Sequence, residues 1–187
     1  MADFPWFALS VKPLREKYVG SVLAGKGFTQ FVPFYRDRRR WSDRVKEIEL
    51  PLFPGYIFCR LDLNNRLPVL VTPFVNFIVG MGKTPIPVQD SEIEAIRTIV
   101  TSGQDALPWN FLPVGCLARI EEGPLQGLEG ILIEVKKQHR LVVSVTLLQR
   151  SVAVEVDRNW VTPVRKPARP DPADSFIRVH PSSSVAL

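Results

Sequence analysis

Proline stands at seventeen positions in this chain and glycine at eleven. Proline lacks the amide donor that a helix or ladder interior needs, and glycine costs backbone entropy there. That density argues against a bundle of long helices and for short strands joined by turns. The 45% apolar content is too high for a disordered chain and suits a packed one. At 187 residues there is room for one medium domain or two small ones.

The inventory of reactive side chains is thin. Cys59 and Cys116 are the only cysteines, each in an apolar stretch, so there is no disulfide framework and no CxxC metal site. The only histidines are His139, between basic residues in a predicted turn, and His180. No carboxylate pairs with a histidine or a second acid in an apolar context, which leaves general acid–base catalysis without a candidate. Gly80-Met81-Gly82-Lys83-Thr84 has the look of a phosphate loop's end, but the position of its first glycine is Phe77 and Pro85 and Pro87 follow where a helix is needed. It reads as a turn after a strand. The expectation is a protein without cofactor or metal that is not an enzyme. The start lacks a signal peptide's basic and apolar regions, and the longest uncharged run, Leu67 to Gly82, spans sixteen residues with Pro68 and Pro73 inside it. A membrane span needs about 20 apolar residues, so a cytoplasmic location is expected.

Periodicity places a strand over Trp6–Ser10, then a helix over Lys12–Ala24 with Leu14, Tyr18 and Val22 on one face and Gly25 and Gly27 as its stop. Phe28–Tyr35 and Tyr56–Leu61 read as strands of a long hairpin, with a charged tongue between them. A short helix before Pro73 and a strand over Val75–Val79 follow. Ser91 and Glu94 have capping-box spacing, and Ile93, Ile96 and Val100 share a face, so a helix is predicted over Glu92–Thr101. This order predicts an α+β fold: an antiparallel sheet with helices on one or both faces. After a Gly/Pro-containing linker bearing Trp109 and Phe111, the stretch from Val114 to Val164 is rich in valine, isoleucine and leucine without helical period. Leu141–Leu148 and Ser151–Val156 are predicted strands, and the whole suggests a small closed barrel. The predicted division is 1–103, a linker at 104–113, a barrel at 114–164 and a disordered tail at 165–187.

Two patterns point to binding. Arg36, Arg38, Arg39, Arg40, Arg44 and Lys46, against Asp37 and Asp43, give the tongue +4 of the chain's net +5, with Trp41 in its midst. Guanidinium groups fork onto phosphate and stack on bases, and an indole stacks too; a solvated hairpin tip is the equal alternative. Trp6, Phe53, Tyr56 and Phe58 have the spacing of a core set, whereas Trp109 and Phe111 either staple the two units together or line a partner's pocket.

The run from Val114 to Ile131, with its Gly123-Pro124 turn, resembles a KOW motif, and Val143 to Arg150 resembles the closing strands of the same SH3-like barrel. Trp6-Phe7-Ala8-Leu9, the Leu52-Phe53-Pro54-Gly55-Tyr56-Ile57-Phe58 block and Pro85-Ile86-Pro87-Val88 before the Glu-Ile helix resemble an NGN domain. In that order, over roughly residues 5–164, they resemble a NusG-type transcription elongation factor, and among these a specialised antitermination paralogue. The resemblance implies a monomer that binds the clamp helices of RNA polymerase's largest subunit through an aromatic depression, with Trp6, Phe53, Tyr56 and Phe111 as its residues. It implies that the tongue (Arg36, Arg38, Arg39, Arg40, Trp41, Arg44, Lys46) faces upstream or non-template DNA. Pro124, Leu125, Leu148 and Arg150 would meet a small-subunit ribosomal protein. Leucine follows Gly-Pro where phenylalanine is usual, and Gln149 precedes the arginine where glycine is usual, which sets recruitment of a termination factor apart from the expectation. Gly123, Pro124, Gly127 and Gly130 oppose the helical form that one relative's barrel adopts. The alternative is a ribosome-associated or RNA-binding KOW protein.

Overall fold

The computed structural model describes residues 4–40, 45–110, 116–135 and 138–164. The tail at 165–187 therefore lies outside the described residues, as do Trp41, Arg44 and Phe111. Fifteen strands are described: β1 (Trp6–Val11), β2 (Gln30–Phe31), β3 (Phe34–Arg40), β4 (Val45–Pro51), β5 (Tyr56–Arg60), β6 (Val75–Ile78), β7 (Gly80–Met81), β8 (Thr84–Pro85), β9 (Pro87–Val88), β10 (Ala106–Asn110), β11 (Cys116–Ile120), β12 (Glu129–Val135), β13 (Gln138–Val145), β14 (Arg150–Val156) and β15 (Val161–Pro163). The helices are α1 (Glu16–Gly25), α2 (Leu67–Leu70) and α3 (Asp90–Thr101).

The first sheet runs β2-β5-β1-β6, with β9 also paired to β1, and its pairs are antiparallel. Both of its faces are covered, which is why β1 shows no polar alternation. Phe7, Leu9 and Val11 pack with Val19 and Leu23 of α1 and Val69 of α2 on one side. Trp6 and Ala8 join Phe58, Val88 and the α3 isoleucines Ile93, Ile96 and Ile99 on the other. Each such fully buried large side chain stabilises the fold by about 1.5–3 kcal/mol. The α+β layer expected from the sequence is thus built with helices on both faces.

α1 departs from its predicted stripe. Glu16, Val19, Gly20 and Leu23 are its buried positions, whereas Leu14 precedes the helix at φ 66° and Tyr18 is about half exposed. The same helical period is present, one step out of phase. Gly20 lets the helix lie close to β2, since a Cβ there would come within 2.9 Å of Val32 Cγ2. The buried carboxylate of Glu16 accepts a hydrogen bond from the Gly55 N–H at 2.7 Å. α3 begins at Asp90 with Gln89 as its cap and no side-chain capping bond, so the Ser91–Glu94 box does not form. Glu94 instead reaches forward to Arg97 at 3.2 Å.

The second sheet has the order β10-β14-β13-β12-β11-β15. Its interior holds Ala118, Ile120, Leu125, Leu141, Val143, Val152 and Val154. Part of the stretch read as a linker is strand: β10 pairs with β14 from Ala106↔Val154 to Asn110↔Arg150. Trp109 lies under the Arg140 guanidinium of β13 at 5.6 Å, a contact within the second sheet that reaches across β14. Gly123 adopts φ 83°, and a Cβ there would meet the Trp160 ring at 2.9 Å, so the Gly123-Pro124 turn requires glycine on both counts. Gln149 takes up the left-handed conformation at φ 51°, the geometry that glycine adopts freely and a side chain resists.

Candidate functional site

The aromatic set gathers around one turn. Leu52, Phe53 and Pro54 lead from β4 into Gly55, which sits at φ 82° and is tied on both sides: its N–H to Glu16 and its carbonyl to the Val11 N–H at 2.9 Å. The turn closes when the Tyr56 N–H donates to the Phe53 carbonyl at 3.0 Å. Phe53 packs edge-on against Phe58, with ring centres 5.5 Å apart. Trp6 lies nearby under two guanidinium groups, Arg60 at 5.0 Å and Arg97 at 5.8 Å from its ring.

These residues divide by exposure. Trp6 and Phe53 are 1% and 0% exposed and belong to the core. Tyr56 alone of the described set reaches partly into solvent. Trp6 and Phe53 thus form a rigid floor, and Tyr56 stands at its rim.

Over Tyr56 sits the second sheet. The Arg150 guanidinium lies 5.3 Å from the Tyr56 ring centre. Glu92 of α3 accepts from the Thr146 N–H at 3.2 Å, and one continuous apolar cluster runs from Phe53, Ile93 and Ile96 into Leu125, Val143 and Val145. The junction is incomplete, because a cleft of about 800 Å³ opens between α3 and the second sheet, lined by Glu92, Ala95, Thr98, Gln126 and Ser144. Of the positions assigned to the second sheet's partner, Pro124 and Arg150 are exposed and Leu148 is half-buried. Leu125 is fully buried.

The basic tongue is a two-stranded ribbon in which β3 and β4 pair only with each other. Its register sets Arg36 opposite Glu49 and Arg38 opposite Glu47, while Arg39 faces Lys46 and Arg40 faces Val45. Glutamates beyond the stretch counted in the sequence therefore stand opposite arginines at the base of the ribbon, whereas the register sets Arg39 and Arg40 opposite Lys46 and Val45. Glu49 also takes Lys17 of α1 at 3.1 Å, an exposed pair of small energetic weight.

Sequence reasoning missed Phe77, a 55%-exposed ring on the same sheet. It also missed Glu16, because a buried carboxylate carries no signal in a hydrophobic pattern. The remaining chemistry stays inert. Burial pushes the Cys59 thiol up to about 12, far from a thiolate. Gly80 to Thr84 form the small β7–β8 hairpin, with no helix behind it to bind phosphate. Among the described residues no cluster of metal-ligating side chains occurs, and no helix is long and apolar enough to cross a membrane.

The model of the family described as transcription termination factor NusG matches residues 4–97, which hold β1 through most of α3. NusG of Pseudomonas aeruginosa, a transcription termination/antitermination protein, is 32% identical over 128 residues, or 66% of this chain and 72% of that one. The protein of the same description from Vibrio vulnificus is 31% identical over 147 residues, or 76% of each chain. A solved structure described as domain interaction in Thermotoga maritima NusG superposes with a TM-score of 0.50 at 18% identity, covering 86% of this chain and 97% of that one, which is a likeness of fold alone. The chain accordingly belongs to the NusG family, whose members are transcription termination/antitermination factors and not enzymes.

Proposed function

We propose that this chain binds the clamp helices of RNA polymerase through the sheet face that carries Tyr56, and that it suppresses pausing or termination by favouring the closed clamp. The observation that carries this reading is the construction around Tyr56: a partly buried ring at the rim of a floor made by buried Trp6 and Phe53. A large aromatic on a rigid support loses little conformational entropy on binding, and such residues dominate interfaces. Preference for the closed clamp over the open one shifts that equilibrium without any catalytic step. The β3–β4 ribbon then meets upstream or non-template DNA through the basic residues near its tip, Arg39, Arg40 and Lys46.

Pro124, Leu148 and Arg150 are the residues of the second sheet that would tether a small-subunit ribosomal protein, with Leu125 supporting them from the core. Arg150 then has two roles, since it also lies over Tyr56. Polymerase and the docked second sheet compete for one ring, and the apparent affinity for polymerase scales with the fraction of molecules in which that ring is free.

The test is Tyr56→Ala in the full chain, with affinity for purified polymerase and thermal unfolding both measured. Binding should weaken about thirtyfold, the effect of losing an interface anchor worth ~2 kcal/mol, while the unfolding temperature stays close to that of the unaltered chain. Unchanged affinity rules the site out. Binding to RNA or ribosomes without any binding to polymerase would favour the ribosome-associated reading.

A further inference from the structure

The face that carries Tyr56 continues across β1 to the edge of the sheet. Tyr56 of β5 stands opposite Ser10 of β1, and Ser10 stands opposite Phe77 of β6. Residues paired in this way share a face, so the three form one row, with Tyr56 and Phe77 two strand spacings apart, roughly 10 Å. The middle member is small. The row is therefore two aromatic walls with a serine floor, open to side chains from one face of an α-helix.

A local irregularity fixes the outer wall. The β1–β6 register shifts between Ser10 and Val11, which leaves Asn76 as an extra residue on β6. Asn76 Nδ2 donates to Ser10 Oγ at 3.3 Å and holds that bulge against β1. Bulges at a sheet edge commonly re-aim a side chain. Here the neighbouring ring, Phe77, is left 55% exposed at the edge of the sheet even while the Arg150 guanidinium lies over Tyr56.

We infer that Phe77 is a further polymerase-contact residue: with Tyr56 and Ser10 it forms a groove that seats a helix of the polymerase clamp. The inference rests on the clamp-binding reading above and extends it to residues outside the aromatic set of the sequence. Phe77 is the wall that stays accessible while the second sheet is docked, so contact with it does not wait for Arg150 to leave Tyr56.

Phe77→Ala, Phe77→Leu and Tyr56→Ala in the full chain, each with polymerase affinity and thermal unfolding measured, test it. Phe77→Ala should weaken binding about tenfold with little change in unfolding temperature, because its ring is already largely in solvent. Phe77→Leu keeps an apolar wall and should retain most of the affinity. Unaltered affinity in Phe77→Ala beside weakened binding in Tyr56→Ala overturns the role of Phe77 and leaves the clamp reading standing. Unaltered affinity in both, or no polymerase binding by the unmodified chain, removes both.

Discussion

The aromatic face and the basic ribbon, the two surfaces proposed to meet a transcription complex, are built in opposite ways. The face is continuous with the core: Trp6 and Phe53 lie inside it, Gly55 is tied to Glu16 and β1, and Tyr56 and Phe77 emerge from it. The ribbon consists of two strands that, among the described residues, pair only with each other, and Tyr35 at its base packs against the core. Shape belongs to the first and charge to the second. Binding through the face should depend on packing and vary little with salt, whereas binding through the ribbon should fall steeply as salt rises.

The largest effect is expected where the face meets the core. Phe53→Ala should lower stability by about 3–5 kcal/mol in denaturant unfolding, because it opens a cavity beside Phe58. A normal unfolding curve combined with lost polymerase binding would make Phe53 a contact residue and break the division into floor and rim. Next is the turn beneath Tyr56. Glu16→Ala leaves the buried Gly55 N–H without its acceptor and should cost about 1.5–3 kcal/mol, while Glu16→Gln, which keeps an acceptor oxygen, should cost less. Equal losses in the two variants would mean that the hydrogen bond is not what holds the turn.

The ribbon sharpens the contrast through its salt dependence. Replacing Arg39 and Arg40 by glutamine should lower the slope of log affinity against log salt for single-stranded DNA by about 1.4, at ~0.7 per phosphate. Arg36 and Arg38 stand opposite Glu49 and Glu47, so their replacement should lower the slope by less. Equal effects from the two pairs would show that register does not sort the charge. Smallest is the lid over Tyr56. Arg150→Ala removes a partly exposed cation–π contact worth about 0.5–1 kcal/mol and should raise polymerase affinity by roughly two- to fivefold. A fall in affinity would mean that Arg150 does not compete for the ring.

The sequence made strands and turns legible and left contacts between distant segments hidden. The β2–β5 pairing and its ribbon extension follow from two apolar runs flanking a charged one, and the structure pairs Phe31 with Phe58 as such a hairpin requires. The α1 stripe was misread by one step because its buried positions include a carboxylate and a glycine, neither of which registers as apolar. The charge of the ribbon was overstated because Glu47 and Glu49 become relevant only once β4 is in register with β3. Phe77 fell outside the aromatic set for a similar reason. Its link to Tyr56 runs across two strand pairings, Ser10 to each side, and no local pattern contains both. The docking of the second sheet was equally hidden, since it joins α3 to residues more than fifty positions away through Glu92 and Thr146.

The central claim is that Tyr56 couples this chain to polymerase and thereby changes elongation. Single-round transcription with purified polymerase, over a template bearing a pause and a terminator, tests it directly with the unaltered chain and with Tyr56→Ala. The unaltered chain should shorten the pause and raise readthrough, and Tyr56→Ala at the same concentration should leave both near their values without protein. Identical activity in the two, or no effect of the unaltered chain, would contradict the account.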